Sequence, residues 1–131
     1  MAFEQVGQQF LAYYYSKFDV SEGSERSAGL SPLYDDQNSF LTFEGACIQG
    51  KVAILEKYSS LPIKRILRKI TKTDCQPMGV DSVLVTTFGQ LKTDDDPPQS
   101  YIQTFVLKQT PDGRSYYIAN EIFRLIIHDS M

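Results

Sequence analysis

The sequence predicts an α+β domain, with helices first and an antiparallel sheet after them. Three observations carry this. Apolar residues recur at three- and four-residue steps near the start, strand-like runs fill the chain beyond residue 63, and Pro111-Asp112-Gly113 joins the last two runs in a tight turn. Helices grouped ahead of strands argue against alternating βαβ units. The 131 residues form one domain, residues 1–131, long enough to bury a core without disulfides or a structural metal.

Phe3, Val6, Phe10, Tyr14 and Phe18 fall on one stripe and predict the first helix. Residues 20–29 are small, polar and glycine-containing, and read as a mobile loop before a short helical turn near Leu30 to Tyr34. Residues 39–43 are rich in strand formers and stop at Glu44-Gly45, with residues 46–49 as the hairpin partner. Gly50 opens a helix over residues 51–61, whose apolar positions Val52, Leu55, Tyr58 and Leu61 are three apart, and Pro62 ends it. Four strands follow, over residues 64–74, 82–91, 99–109 and 114–128.

Both faces of these strands are apolar. Phe123, Leu125 and Ile127 point one way and Ile122 and Ile126 the other; Tyr101, Phe105 and Leu107 oppose Ile102 and Val106 in the preceding strand. Helices amount to one layer, enough for one face. The second face, carrying Ile102, Val106, Ile122 and Ile126, predicts a sheet-on-sheet homodimer, because each buried aliphatic side chain contributes about 1.5 to 3 kcal/mol.

A formal charge of −3, two cysteines without CxxC spacing and a single histidine, His128, exclude a zinc module and a disulfide framework. No apolar run approaches the roughly 20 residues of a spanning helix, so no membrane insertion is expected and the cytosol or nucleus is the expected compartment. Lys64, Arg65, Arg68, Lys69 and Lys72 read as a solvated strand face, without the interleaved aromatics of a nucleic-acid site. The loop Lys92-Thr93-Asp94-Asp95-Asp96-Pro97-Pro98 presents three adjacent carboxylates on a stiffened exit. It lacks the alternating ligand spacing of a calcium site, so a basic protein surface is the expected partner, with no metal and no cofactor. Glu44, at a strand end, would add a fourth carboxylate if the sheet brings the two loops together. No base with an orienting partner is evident, and His128, Cys47 and Cys75 need no catalytic explanation.

The segments together resemble the nuclear transport factor 2 family nearly end to end. The likeness rests on Phe3-Glu4-Gln5-Val6-Gly7, Tyr14-Tyr15, Leu41-Thr42-Phe43-Glu44-Gly45, Gln49-Gly50-Lys51, Ser59-Ser60-Leu61-Pro62, Gly89-Gln90-Leu91-Lys92 leading into Asp94, Asp96 and Pro97, and Ile122-Phe123-Arg124-Leu125. It implies a cone: a strongly bent antiparallel sheet wrapped by three helices, dimerising through its outer face. It also implies a non-enzymatic carrier that binds the GDP form of the small GTPase Ran and phenylalanine-glycine repeats of nucleoporins. Such a carrier would shuttle between cytoplasm and nucleus and concentrate at the nuclear pore and envelope. By motif match the Ran-binding rim is Glu44, Asp94 and Asp96, with Asp95 between the last two. The hydrophobic cavity is Phe43, Leu61, Ile66, Leu91 and Phe123, and Phe3 belongs to the nucleoporin site. Phe43 and Phe3 stand where the family often has tryptophan, and Pro98-Gln99 replaces apolar residues. The alternatives are an isomerase- or dehydratase-type enzyme of the same fold, or an mRNA-export adaptor pairing with a different chain.

Overall fold

A computed structural model describes residues 2–128. The chain runs α1 (Ala2–Phe18), α2 (Gly23–Leu30), a 3-10 turn (Ser31–Leu33), β1 (Phe40–Phe43), β2 (Ala46–Gln49), α3 (Lys51–Ser59), β3 (Ile66–Met78), β4 (Ser82–Thr93), β5 (Gln99–Gln109) and β6 (Tyr116–Leu125). The six strands form one sheet in the order β2-β1-β6-β5-β4-β3. The four long strands occur in the expected order, with β3 running on to Met78 beyond the expected end at residue 74 and β6 stopping at Leu125 short of residue 128. Three helices and a single sheet give the expected α+β class.

Three details differ from the sequence expectation. Residues 23–30 form helix α2 rather than a mobile loop. Its polar composition conceals a buried arginine, Arg26, which is 0% exposed. The guanidinium donates to the carbonyls of Phe18 (2.8 Å), Tyr58 (3.0 Å) and Val20 (2.7 Å), so its charge is spent on chain ends that a helix would otherwise leave bare. In α3 the buried residues are Ile54 and Tyr58, while Val52 is 77% exposed. A spacing of three drifts off a 3.6-residue face, and the buried side is set by the four-residue step. Last, β1 pairs with β6 in parallel, with Phe43 beside Phe123, so the sheet is mixed rather than wholly antiparallel. The β1–β2 hairpin is antiparallel, and helix α3 and strands β3 to β5 lie between β2 and β6, a connection long enough for a parallel pairing.

The sheet is strongly bent. Four inter-strand steps separate β1 from β3, about 19 Å on a flat sheet. Yet Phe43 of β1 and Ile66 of β3 line one small cavity. Register shifts at Ile70/Lys72 and Val106/Leu107 supply the curvature. The second also reverses side-chain parity, so Ile118 joins Glu121 and Phe123 on the inner face. Gly89 lies at the first bend, where any Cβ would collide with the Lys69 carbonyl. Inside the curve Leu11, Tyr14, Leu41, Ile54, Tyr58, Val85, Tyr101 and Phe105 form the core.

Candidate functional site

The cavity measures about 140 Å³. Phe43, Leu61, Ile66, Leu91 and Phe123, the five residues expected there, all line it, joined by Ile63 and Leu125. The Phe43 ring stacks on Phe123 with centroids 5.1 Å apart, because adjacent positions on paired strands put both rings on one face. Lys57 holds its ammonium 5.0 Å from the Phe43 centroid. Tyr14, Tyr58, Gln103 and Arg68 also line the cavity and give it a polar side.

Arg68 departs from the solvated strip expected of it. It shares the inward parity of Ile66, and its side chain is only 6% exposed. The Nε and Nη2 atoms donate to the two Asp19 carboxylate oxygens at 2.9 and 2.7 Å, a bidentate fork. The guanidinium carbon lies 3.9 Å from the Tyr15 ring centroid. Although burial disfavours its charge, the hydrogen bonds and charge of Asp19 outweigh this and hold the guanidinium more firmly protonated than usual. The third nitrogen, Nη1, is buried without a hydrogen-bond acceptor.

Behind the cavity lies a group the sequence reading missed. Glu121 is 1% exposed. It accepts hydrogen bonds from the hydroxyls of Tyr14 (2.6 Å), Tyr58 (2.6 Å) and Tyr34 (2.5 Å) and from the Gln103 amide (2.8 Å). Burial raises the Glu121 pKa above the usual carboxylate range, with the four donors pulling the other way. Burial, then the charge of Glu121, pushes the Tyr14 and Tyr58 hydroxyls well up. The missed signal was parity, since Glu121 alternates with Phe123 and Leu125.

The acidic residues sit on loops beside the cavity wall. Glu44 follows Phe43 and Asp94 follows Thr93, both lining positions. Both adopt the left-handed conformation, φ 50° and 51°, which non-glycine residues rarely take. Their side chains hold these turns in place. Glu44 Oε1 accepts the Leu125 N–H at 2.6 Å, and Asp94 Oδ1 accepts the N–H groups of Lys64 (3.1 Å) and Arg65 (3.0 Å). Asp95 and Asp96 are exposed, the former 3.5 Å from Arg65. The Lys92 ammonium donates to the Asp94 carbonyl, so basic groups share this rim.

On the outer face Ile102, Ile122 and Ile126 are 38%, 51% and 40% exposed, and Val106 is half-buried. Phe88, directly opposite Ile102 on β4, extends the patch and was missing from the sequence reading. Phe3 is half-buried at the start of α1, against the edge of the core. Cys47 and His128 are exposed. Among the described residues no helix is long and apolar enough to cross a membrane, and no cluster of three metal-ligating side chains occurs.

A bent sheet closed by helices over one apolar cavity defines the cone-fold class of proteins. Within that class the chain belongs to the nuclear transport factor 2 family, since the nuclear transport factor 2 (NTF2) domain model matches residues 6–125. A Caenorhabditis elegans protein named probable nuclear transport factor 2 is 47% identical over 128 residues, 98% of this chain and 96% of that one. The structure of nuclear transport factor 2 from Cryptosporidium parvum superposes with a TM-score of 0.83 at 35% identity, covering 95% of this chain and 94% of that one. A putative dehydratase from Streptomyces avermitilis is similar in fold alone, with a TM-score of 0.74 at 17% identity over 98% of this chain and 100% of its own. The fold thus serves both transport factors and proteins described as enzymes.

Proposed function

We propose that this protein is a homodimeric nuclear import carrier that binds the GDP form of Ran and phenylalanine-glycine nucleoporin repeats, moving Ran-GDP through the nuclear pore. The observation that carries the proposal is an apolar cavity flanked by carboxylates on two loops, in a chain 47% identical to a relative named as a transport factor. An apolar socket with charged groups at its edge is the usual arrangement for gripping one anchor side chain of a partner. In this reading an aromatic side chain of Ran enters between Phe43, Leu61, Ile66, Leu91 and Phe123, and its basic side chains pair with Glu44, Asp94, Asp95 and Asp96. Selectivity for GDP resides in the GTPase, whose switch segments rearrange with the nucleotide. Phe3 contributes to a shallow nucleoporin contact. The apolar patch of Phe88, Ile102, Val106, Ile122 and Ile126 forms the dimer face. Carrier rather than enzyme is further supported by Glu121, whose carboxylate is committed to four donors instead of facing a guest.

The test is capture on immobilised Ran loaded with GDP or GTP. GDP-loaded Ran retains the protein and GTP-loaded Ran does not. Glu44→Gln combined with Asp94→Asn keeps the acceptors that hold both turns and removes two charges. The double variant loses capture at least tenfold while its mass in solution stays that of a dimer. On beads carrying phenylalanine-glycine repeats, Phe3→Ala weakens retention without affecting Ran capture. Equal capture of both nucleotide forms, or full capture by the double variant, would refute the proposal.

A further inference from the structure

The Phe43 ring is held from several sides. It stacks on Phe123 at an interplanar angle of 15°, and the Tyr58 ring meets it edge-on at 81° with centroids 6.0 Å apart. The Lys57 ammonium lies over the same ring, 5.0 Å from its centroid. Lys57 and Tyr58 are neighbours in the last turn of α3, so one helix end supplies both contacts to β1. A lysine so placed ordinarily reaches the free carbonyls of the helix end or a carboxylate. Lys57 does neither. Among the described residues its ammonium makes no hydrogen bond, and the ion pairs are Lys51–Asp36, Arg65–Asp95 and Arg68–Asp19. Glu44, the residue after Phe43, turns its Oε1 to the Leu125 N–H. An ammonium without a carboxylate partner is drawn to the negative face of an aromatic ring.

We infer that Lys57 is a positioning residue, whose ammonium holds the Phe43 ring in the stacked orientation on Phe123 that forms one wall of the cavity. Phe43 is only half-buried, so core packing does not fix its ring on every side. A wall already held in place lowers the ordering cost of binding. For its effect on a partner the inference rests on the carrier reading above. There the two consequences of Lys57 oppose each other. Its positive charge stands at a rim whose carboxylates attract basic side chains, so removing that charge speeds a basic partner's arrival or leaves it unchanged. A loosened Phe43 ring hastens the partner's departure. A role in charge pairing alone would show the reverse pattern, with arrival slowed.

Two substitutions separate charge from stem. Lys57→Met keeps an unbranched side chain of similar helix propensity and removes the cation, and Lys57→Arg keeps a cation that stacks on rings. In the free protein, ¹³C relaxation of the Phe43 ring is expected to show restricted ring motion in the wild-type chain and in Lys57→Arg, and faster motion in Lys57→Met. Binding kinetics with GDP-loaded Ran are expected to show dissociation about two- to fivefold faster in Lys57→Met, with association unchanged or faster. Lys57→Arg keeps both rates at the wild-type values. Phe43 ring motion that is the same in Lys57→Met as in the wild-type chain overturns the inference, as does unchanged dissociation or slowed association in that variant. If the wild-type chain captures neither nucleotide form of Ran, the carrier reading fails, and the ring motion alone decides the role of Lys57.

Discussion

Two buried ionisable groups on the inner face of one sheet are treated in opposite ways. Glu121 on β6 collects four donors around one carboxylate. Arg68 on β3 has two of its nitrogens satisfied by Asp19 and one left over. The difference follows position. Glu121 is walled in by Tyr14, Tyr34 and Tyr58, one from each of three helical or turn segments, so it ties the helical layer to the sheet. Arg68 borders the cavity at the edge of the core, where its third nitrogen is left without an acceptor. A closed polar network fixes one arrangement of the core, and an incomplete one leaves a buried donor uncompensated.

The largest expected effect tests the closed network. Glu121→Leu leaves three tyrosine hydroxyls and an amide without their acceptor and should cost about 4 kcal/mol in urea unfolding. A loss below about 1 kcal/mol would mean that water replaces the carboxylate, and the contrast with Arg68 would fail. The next effect concerns the fork. Arg68→Met strands the Asp19 carboxylate and should cost about 3 kcal/mol, whereas adding Asp19→Leu should restore most of it. Additive losses in the double variant would show that the pair is not coupled.

The smallest effect is a slope. Because burial raises the Glu121 pKa, the folded state holds this proton more tightly than the unfolded chain. Protonation therefore favours folding at low pH, and that contribution is lost as pH rises from the usual glutamate range through the pH at which the buried carboxyl ionises. Unfolding measured from pH 4 to 8 should show stability that falls less with pH in Glu121→Gln than in the wild-type chain. Parallel curves would place the Glu121 pKa at its ordinary value.

Much of this was legible beforehand because periodicity survives locally. The strands and the hairpin follow from alternation and turn residues, and the five cavity residues came from the family resemblance. Helix α2 was hidden because a buried arginine looks like a surface residue until its carbonyl partners are known. Arg68 reads as solvent-facing in the sequence because it stands among Lys64, Arg65, Lys69 and Lys72. The exposed patch of the outer face also contains Phe88, the strand partner of Ile102, which apolar patterning in the last two strands does not reach.

Sequence by itself determined the order of the strands and the shared inner face of Tyr101, Phe105 and Leu107, since alternation depends on neighbours within a few residues. Only the tertiary structure decided that β1 runs parallel to β6, that the bent sheet gathers Phe43 and Ile66 around one cavity, and that Glu44 and Asp94 brace their own turns. Those outcomes join segments tens of residues apart. Burial and hydrogen bonding across such distances are properties of the closed fold and leave no local pattern.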